Sequence, residues 1–395
     1  MILSALAAVL LAGAGESGPA GAVQAPAAAP YRAAPAEPLD FRGPGRDAPE
    51  PEVAEVVIGW FGPGDPAHPD FGDYWRGATL ALEQENAAGG YRGRPFRLEA
   101  AWSESPWTAG ILGVTRLVYD RGAWAVIGGV SGTTTHLAVQ LALKSHFTLL
   151  SPGSTDDTAD DANVPWLFSL PPSDATIAEM LAEEASPPAG RLAVVAGADH
   201  DAHAALVALR RALGTRRAVP AALVEVPAED ADLASLARAA LASSPTRVVV
   251  LASPVQAAAI VRAVRAAGFG GRLLGGAGLA RAAFARAAGA AAEGVAAPAL
   301  VEPTLDAAFA GAYEARWGEP PDAAAALGAD AVRVVAAAVR AAGLNRARIR
   351  DAVRALSPWS GASGRVSWNP RGRNERRPAL ATWHGGRLVR GSGGR

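Results

Sequence analysis

The stretch "AVIGGVSGTTTH", Ala125 to His136, decides the reading of this chain. An apolar run that reads as a buried strand ends in glycines, a serine and three threonines, where a helix is expected to begin. "FTLLSPGSTDDT", Phe147 to Thr158, repeats the pattern with Ser151, Gly153, Ser154 and Thr155. In open parallel sheets, ligands sit beyond the carboxyl ends of the strands, where the strand order reverses. A helix N-terminus there leaves about four amide N–H groups unpaired and carries roughly half a positive charge, so it attracts a carboxylate or phosphate. Glycine lets a ligand approach the backbone, and hydroxyls add hydrogen bonds. Helix capping alone also places Ser131, Thr133, Ser154 and Thr155 at such positions; two parallel loops in one lobe favour anion recognition without a cation.

Outward from these endings, strand-like and helix-like segments alternate. "EVVIGWF", a helix over 73–88, "PFRLEAAW", a helix over 107–119, "AWAVIG", a helix from Thr133 and "FTLLS" make a first unit. "WLFSL" and the Pro171–Pro172 pair mark a crossing point, after which "RLAVVAG", "AALVEV", "RVVVLAS" and "GRLLGG" alternate with helices ending near 213, 242 and 267. "AEGVAAPALV" reads as another strand, followed by helices over 304–317, 322–342 and 346–356 and a closing hairpin with Asn-Pro-Arg-Gly and His-Gly-Gly turns. Such alternation predicts an α/β fold of two units, each a mostly parallel sheet flanked by helices.

The bulk numbers bound the size and charge of the chain. The chain has 395 residues, half of them apolar, enough for two or three domains. Its 37 basic residues against 38 acidic ones leave no charge footprint for nucleic acid or an anionic membrane. Cysteine is absent, which excludes disulfides, thiolate metal sites, cysteine nucleophiles and lipid attachment through an N-terminal Cys. Residues 1–14 read as an atypical secretory signal: an apolar run with an A-x-A-like end at Ala12 to Ala14, no basic residue before Arg32, and too short to span a bilayer. Residues 15–52, rich in Ala, Pro and Gly, read as a disordered linker.

Taken in order, "VVIGWFGP", "FGDYWRGATLALEQENAAGGYRGRPFRLE", "LVYDRGAWAVIGGVSGTTTHLA", "LLSPGSTDDT", "FAGAYEARWGEPPDAAAALGADAVRVVAAAVRAAG" and "SGASGRVSWNPRGRN" resemble the periplasmic solute-binding proteins of ABC transporters of the branched-chain amino acid type. The resemblance covers the chain from about Val56 onward. It implies the type I periplasmic binding fold, with two lobes joined by three crossovers: 53–172 plus 297–369, and 173–296 plus 370–395. It also implies an extracytoplasmic, monomeric protein that captures a small carboxylate-bearing solute by hinge closure and serves a permease and ATPase complex.

Carried over by position, the ligand carboxylate falls to Gly132, Thr133, Gly153 and Thr155, with Ser131 or Thr133 supplying a hydroxyl where the family often has serine, and Ser154 beside them. Phe71 matches an aromatic that packs on ligand, and Trp60, Phe61 and Trp102 add rings at the same sheet edge, which favours an apolar or aromatic ligand body. The second lobe departs from the pattern. Ala277 stands where an acidic partner for an ammonium is usual, and Asp201 stands at a tyrosine position. An ordinary amino acid would then need Asp199 or Asp201 as its partner, because a buried lone ammonium costs several kcal/mol.

Other chemistries fit less well. His200 and His203 share a helix face, and with Asp199 or Asp201 invite a metal, but the spacing lacks further ligands; no metal or cofactor is expected. "GVSGT" is not a nucleophile elbow, and no acid is assigned to orient His136, so catalysis is not expected. The alternative is a ligand-sensing receptor of the same fold, which would need either a fused signalling domain, not expected after the closing hairpin, or a dedicated partner.

Overall fold

The computed structural model describes residues 45–103, 106–161, 164–185, 190–227, 231–302 and 306–390, all within one compact unit, Ala36–Arg395. The signal segment and most of the linker lie outside the described residues. The linker's last residues are held in place: Asn345 Nδ2 donates to the carbonyls of Gly45 and Arg46, and the Tyr91 hydroxyl to Glu50 at 2.6 Å.

Five strands, β1 Val56–Phe61, β2 Phe96–Ala101, β3 Ala125–Gly128, β4 Thr148–Ser151 and β5 Leu167–Ser169, form a parallel sheet in the order β2-β1-β3-β4-β5. Every residue of β1, β3 and β4 is buried, as expected for parallel strands covered on both faces. Helices α1 Gly72–Ala87, α2 Ile111–Thr115 and α3 Gly132–Ser145 connect them. The segment 107–119 reads as one helix in sequence; in the structure π-turns, Pro106–Gly110 and Arg116–Asp120, replace the α-helical ladder on both sides of α2.

A second sheet repeats that order. Strands β6 Leu192–Gly197, β7 Ala222–Val226, β8 Arg247–Leu251, β9 Arg272–Gly275 and β10 Ala296–Pro298 run parallel as β7-β6-β8-β9-β10, with helices α4 Asp174–Ala185, α5 His200–Thr215, α6 Leu233–Leu241, α7 Pro254–Ala266 and α8 Ala282–Ala288 around them. The chain returns to the first lobe through α9 Ala307–Trp317, α10 Ala323–Ala342 and α11 Arg346–Ala355. A small hairpin follows, β11 Trp359–Gly361 with β12 Gly364–Val366, and then an antiparallel pair, β13 Leu380–His384 and β14 Arg387–Arg390, that extends the second sheet beyond β10.

The first lobe's core lies on both faces of its sheet: Ile58, Trp60 and Ile127 pack toward α1 and α10, while Val57, Phe61 and Val126 pack on the opposite side. Burial of each large apolar side chain contributes about 1.5–3 kcal/mol. α1 and α10 cross closely: a Cβ on Gly77 would lie 1.9 Å from the Ala325 carbonyl oxygen, and one on Gly328 2.2 Å from that of Tyr74. Asp330 of α10, fully buried, accepts from the amides of Ala362 and Ser363 at 2.8 and 2.7 Å and from the Ser363 hydroxyl at 2.6 Å, tying the small hairpin to the helix.

Candidate ligand-binding cleft

In each sheet the strand order reverses at the first strand of the unit, between β1 and β3 and between β6 and β8, where an open α/β sheet forms its crevice. The two crevices face one another across a cavity of about 450 Å³, within the usual range for small-molecule sites. The loops after β1, β3, β4, β6, β8 and β9 all reach it.

The loop after β3 is built by its own residues. Ser131 adopts an extended conformation and caps α3: its hydroxyl accepts from the Thr134 amide, and its own amide donates to Thr134 Oγ1. That leaves the amides of Gly132 and Thr133 turned outward. The loop after β4 is fastened beside it, because Ser151 Oγ donates to the Gly129 carbonyl at 2.6 Å and accepts from the Ser154 amide at 3.0 Å. Gly153 permits the close approach, since a Cβ there would lie 2.5 Å from the Val130 carbonyl oxygen.

The structure brings Phe71, Trp102, Ser131, Thr133, Gly153, Thr155 and Asp201 to the cavity wall. Gly132 stands at its edge through its amide. Ser154 is buried beneath, its hydroxyl oxygen without a hydrogen-bond partner. Trp60 and Phe61 do not line the cavity. β1 is central in its sheet and buried on both faces, so Trp60 turns into the core, donating its indole N–H to the Pro63 carbonyl at 3.1 Å, and Phe61 packs under α3. Phe61 reaches the site only through Trp102, with ring centroids 6.3 Å apart.

Across the cleft, the amides expected to hold a ligand carboxylate already hold one. Asp201, in the first turn of α5, accepts from Gly132 N at 2.9 Å and from Thr133 N at 3.3 Å. Burial pushes its pKa up to about 6, against the pull of those amides. Asp199 caps α5, accepting from the Ala202 amide at 2.9 Å. Other contacts also bridge the lobes: Arg286 pairs with Asp73 at 2.7 Å, and Val255 N donates to Asp70 at 3.2 Å. The lobes are closed on one another.

Two charged lining residues were not visible in the sequence reading. Arg281, 5% exposed, donates to the Asp70 carbonyl and lies over the Tyr74 ring at 4.4 Å. Asp174, 4% exposed, shares a hydrogen bond with Thr155, while its Oδ2 finds no partner. Burial pushes its pKa up to about 8, so it is mostly a neutral acid at pH 7. The wall therefore combines aromatic faces, three aspartates and one arginine. His200 and His203 do not converge: His200 meets Asp156 at 2.7 Å, and His136 joins the same oxygen at 2.9 Å.

Two α/β lobes closed on a shared cavity at their strand ends define a two-lobe binding fold. The chain belongs to the family of periplasmic binding proteins, whose model matches residues 55–387. It is similar to an amino acid binding protein of Pseudomonas aeruginosa, 33% identical over 119 residues; that match spans 30% of this chain and 32% of the relative. Among solved structures it resembles the branched-chain amino acid transporter substrate binding protein LivJ of Streptococcus pneumoniae in complex with isoleucine, with TM-score 0.77, 24% identity and coverage of 85% of this chain and 97% of that one. It also resembles a solute binding protein of an ABC transporter from R. palustris in complex with benzoate, with TM-score 0.74, 20% identity and coverage of 85% and 95%.

Proposed function

We propose that this protein is the extracytoplasmic substrate-binding component of an ABC transporter, which captures a small carboxylate-bearing solute between its lobes and delivers it, as a monomer, to a permease and ATPase complex. One observation carries the reading: amides at the start of α3 and hydroxyl-bearing loops from one lobe face a roughly 450 Å³ cavity that the other lobe closes. Binding there is capture by hinge motion, in which the ligand stabilises the closed pair by its differential affinity for it. Phe71 and Trp102 favour an apolar or aromatic ligand body, consistent with the isoleucine and benzoate named for the two similar structures. Asp199 and Asp201 stand in for the acidic residue that Ala277 does not supply, so an amine on the ligand has a partner. Binding proceeds without turnover. No helix among the described residues is long and apolar enough to cross a membrane.

The test is a thermal-shift and calorimetric screen of amino acids, aromatic carboxylates and amides against the purified chain, with mass spectrometry of whatever co-purifies. Saturable stabilisation by a carboxylate, with the ligand recovered intact, is expected. Conversion of the ligand, or binding unaffected by substitutions at Thr155 and Arg281, would overturn the assignment.

A further inference from the structure

Beside the cavity, at the rim of the cleft, three side chains from three segments converge. His136 lies on α3, Asp156 follows β4, and His200 opens α5 in the other lobe. The Nε2 atoms of both imidazoles meet the same oxygen, Asp156 Oδ2, at 2.9 and 2.7 Å, and the three atoms lie within 4.8 Å of one another. We propose that His136, Asp156 and His200 form a site for a divalent transition-metal ion of the zinc type, which clips the two lobes together at the mouth of the cleft.

The donor set fits that class of ion. Two imidazoles and one carboxylate are borderline ligands that suit zinc, cobalt or nickel better than magnesium or calcium, which prefer all-oxygen shells. Zinc bonded to nitrogen and oxygen at about 2.0–2.1 Å in a tetrahedron holds its ligands about 3.3 Å apart, so each Nε2 need retreat from Oδ2 by only about half an ångström. The carboxylate is fixed from behind: Asp156 Oδ1 accepts from the Thr158 amide at 2.8 Å and its hydroxyl at 2.7 Å, the outer-shell support that orients a ligating oxygen. Access remains open, because the side chains of His136 and His200 are 29% and 40% exposed while that of Asp156 is 2% exposed. Water can complete the fourth position.

The ligands divide between the lobes, two on the first and one on the second. The ion therefore binds the closed form more tightly than the open one and shifts the equilibrium toward closure by that difference. This step does not depend on the identity of the cleft's solute.

The test uses the full chain, stripped with chelator and free of added solute. Zinc chloride is titrated calorimetrically, and cobalt(II) is followed by the visible absorption of a four-coordinate complex. The wild type and His203→Ala should each bind one ion. His200→Ala, at an exposed helix start, and His136→Gln should bind more than about 10-fold more weakly, the least effect that loss of even an outer-shell group produces, and should lack the cobalt bands. Small-angle scattering should show a smaller radius of gyration on adding zinc to the wild type and no change in His200→Ala. Absence of stoichiometric binding, wild-type affinity in His200→Ala, or binding without compaction would overturn the proposal.

Discussion

Asp174 offers the sharpest quantitative check on the cleft. It is buried, shares one hydrogen bond with Thr155, and leaves Oδ2 without a partner, so burial raises its pKa from 3.8 to about 8. In the native chain it keeps a proton that the unfolded chain releases above pH 3.8. The stability tied to that proton is complete below pH 3.8 and is lost as pH rises toward about 8, at about 1.4 kcal/mol per pH unit. Between pH 5 and pH 7.5 the loss amounts to about 3 kcal/mol. Asn cannot titrate, so the stability of Asp174→Asn relative to the wild type should rise by that amount over the same interval, whatever other groups do, since they are common to both. Urea unfolding of both proteins at several pH values, extrapolated linearly to water, reads the difference. A difference that stays constant from pH 5 to 7.5 would refute the claim that Asp174 is a neutral acid in the cleft wall.

Further outcomes follow from the same geometry. Thr155→Ala should weaken binding of a carboxylate ligand by about 1–3 kcal/mol, read by calorimetry against the solute found in the screen, and, because it removes the hydrogen bond of buried Asp174, should also cost about 1–3 kcal/mol in urea unfolding. Gly153→Ala places a Cβ 2.5 Å from the Val130 carbonyl oxygen, and should cost about 1–3 kcal/mol in urea unfolding through displacement of the two loops. Asp330→Ala strands the amides of Ala362 and Ser363, and should destabilise by about 3 kcal/mol or more. Arg281→Leu removes a guanidinium from the Tyr74 face, worth about 2 kcal/mol when desolvated, and should leave the lobes more open by small-angle scattering.

The strand exits were legible because buried parallel strands and hydroxyl-rich helix starts both write themselves locally. "AVIGGVSGTTTH" announces β3, the Ser131 cap and α3 within twelve residues. Two helices escaped. α4 follows the Pro171–Pro172 pair, which read as a crossing, and α8, "AAFARAA", sits among alanines and glycines that carry no hydrophobic period. Trp60 and Phe61 misled because β1 runs on through Phe61, so both rings lie within a strand covered on both faces and not at the sheet edge beyond it. Arg281 is one arginine among many, and only the packing of α8 against the first lobe singles it out. The His136, Asp156 and His200 cluster was invisible for topological reasons. Its members lie 20 and 44 residues apart, and the helical spacing of His200 and His203 pointed to the wrong pair.

The Asp201 carboxylate at the start of α3 changes what arrival of a guest means. A carboxylate that docks on those amides meets an incumbent, so capture there is an exchange, and the helix end gains no bond that it did not already have. Net affinity must come from the rest of the solute and from the fate of the evicted side chain. A guest carrying an amine rehouses Asp201 as its counter-ion; a guest without one leaves it stranded beside an apolar body, at a cost of several kcal/mol. In the proposed mode of capture, discrimination between zwitterions and simple acids rests on a residue that competes with the very group it helps to select.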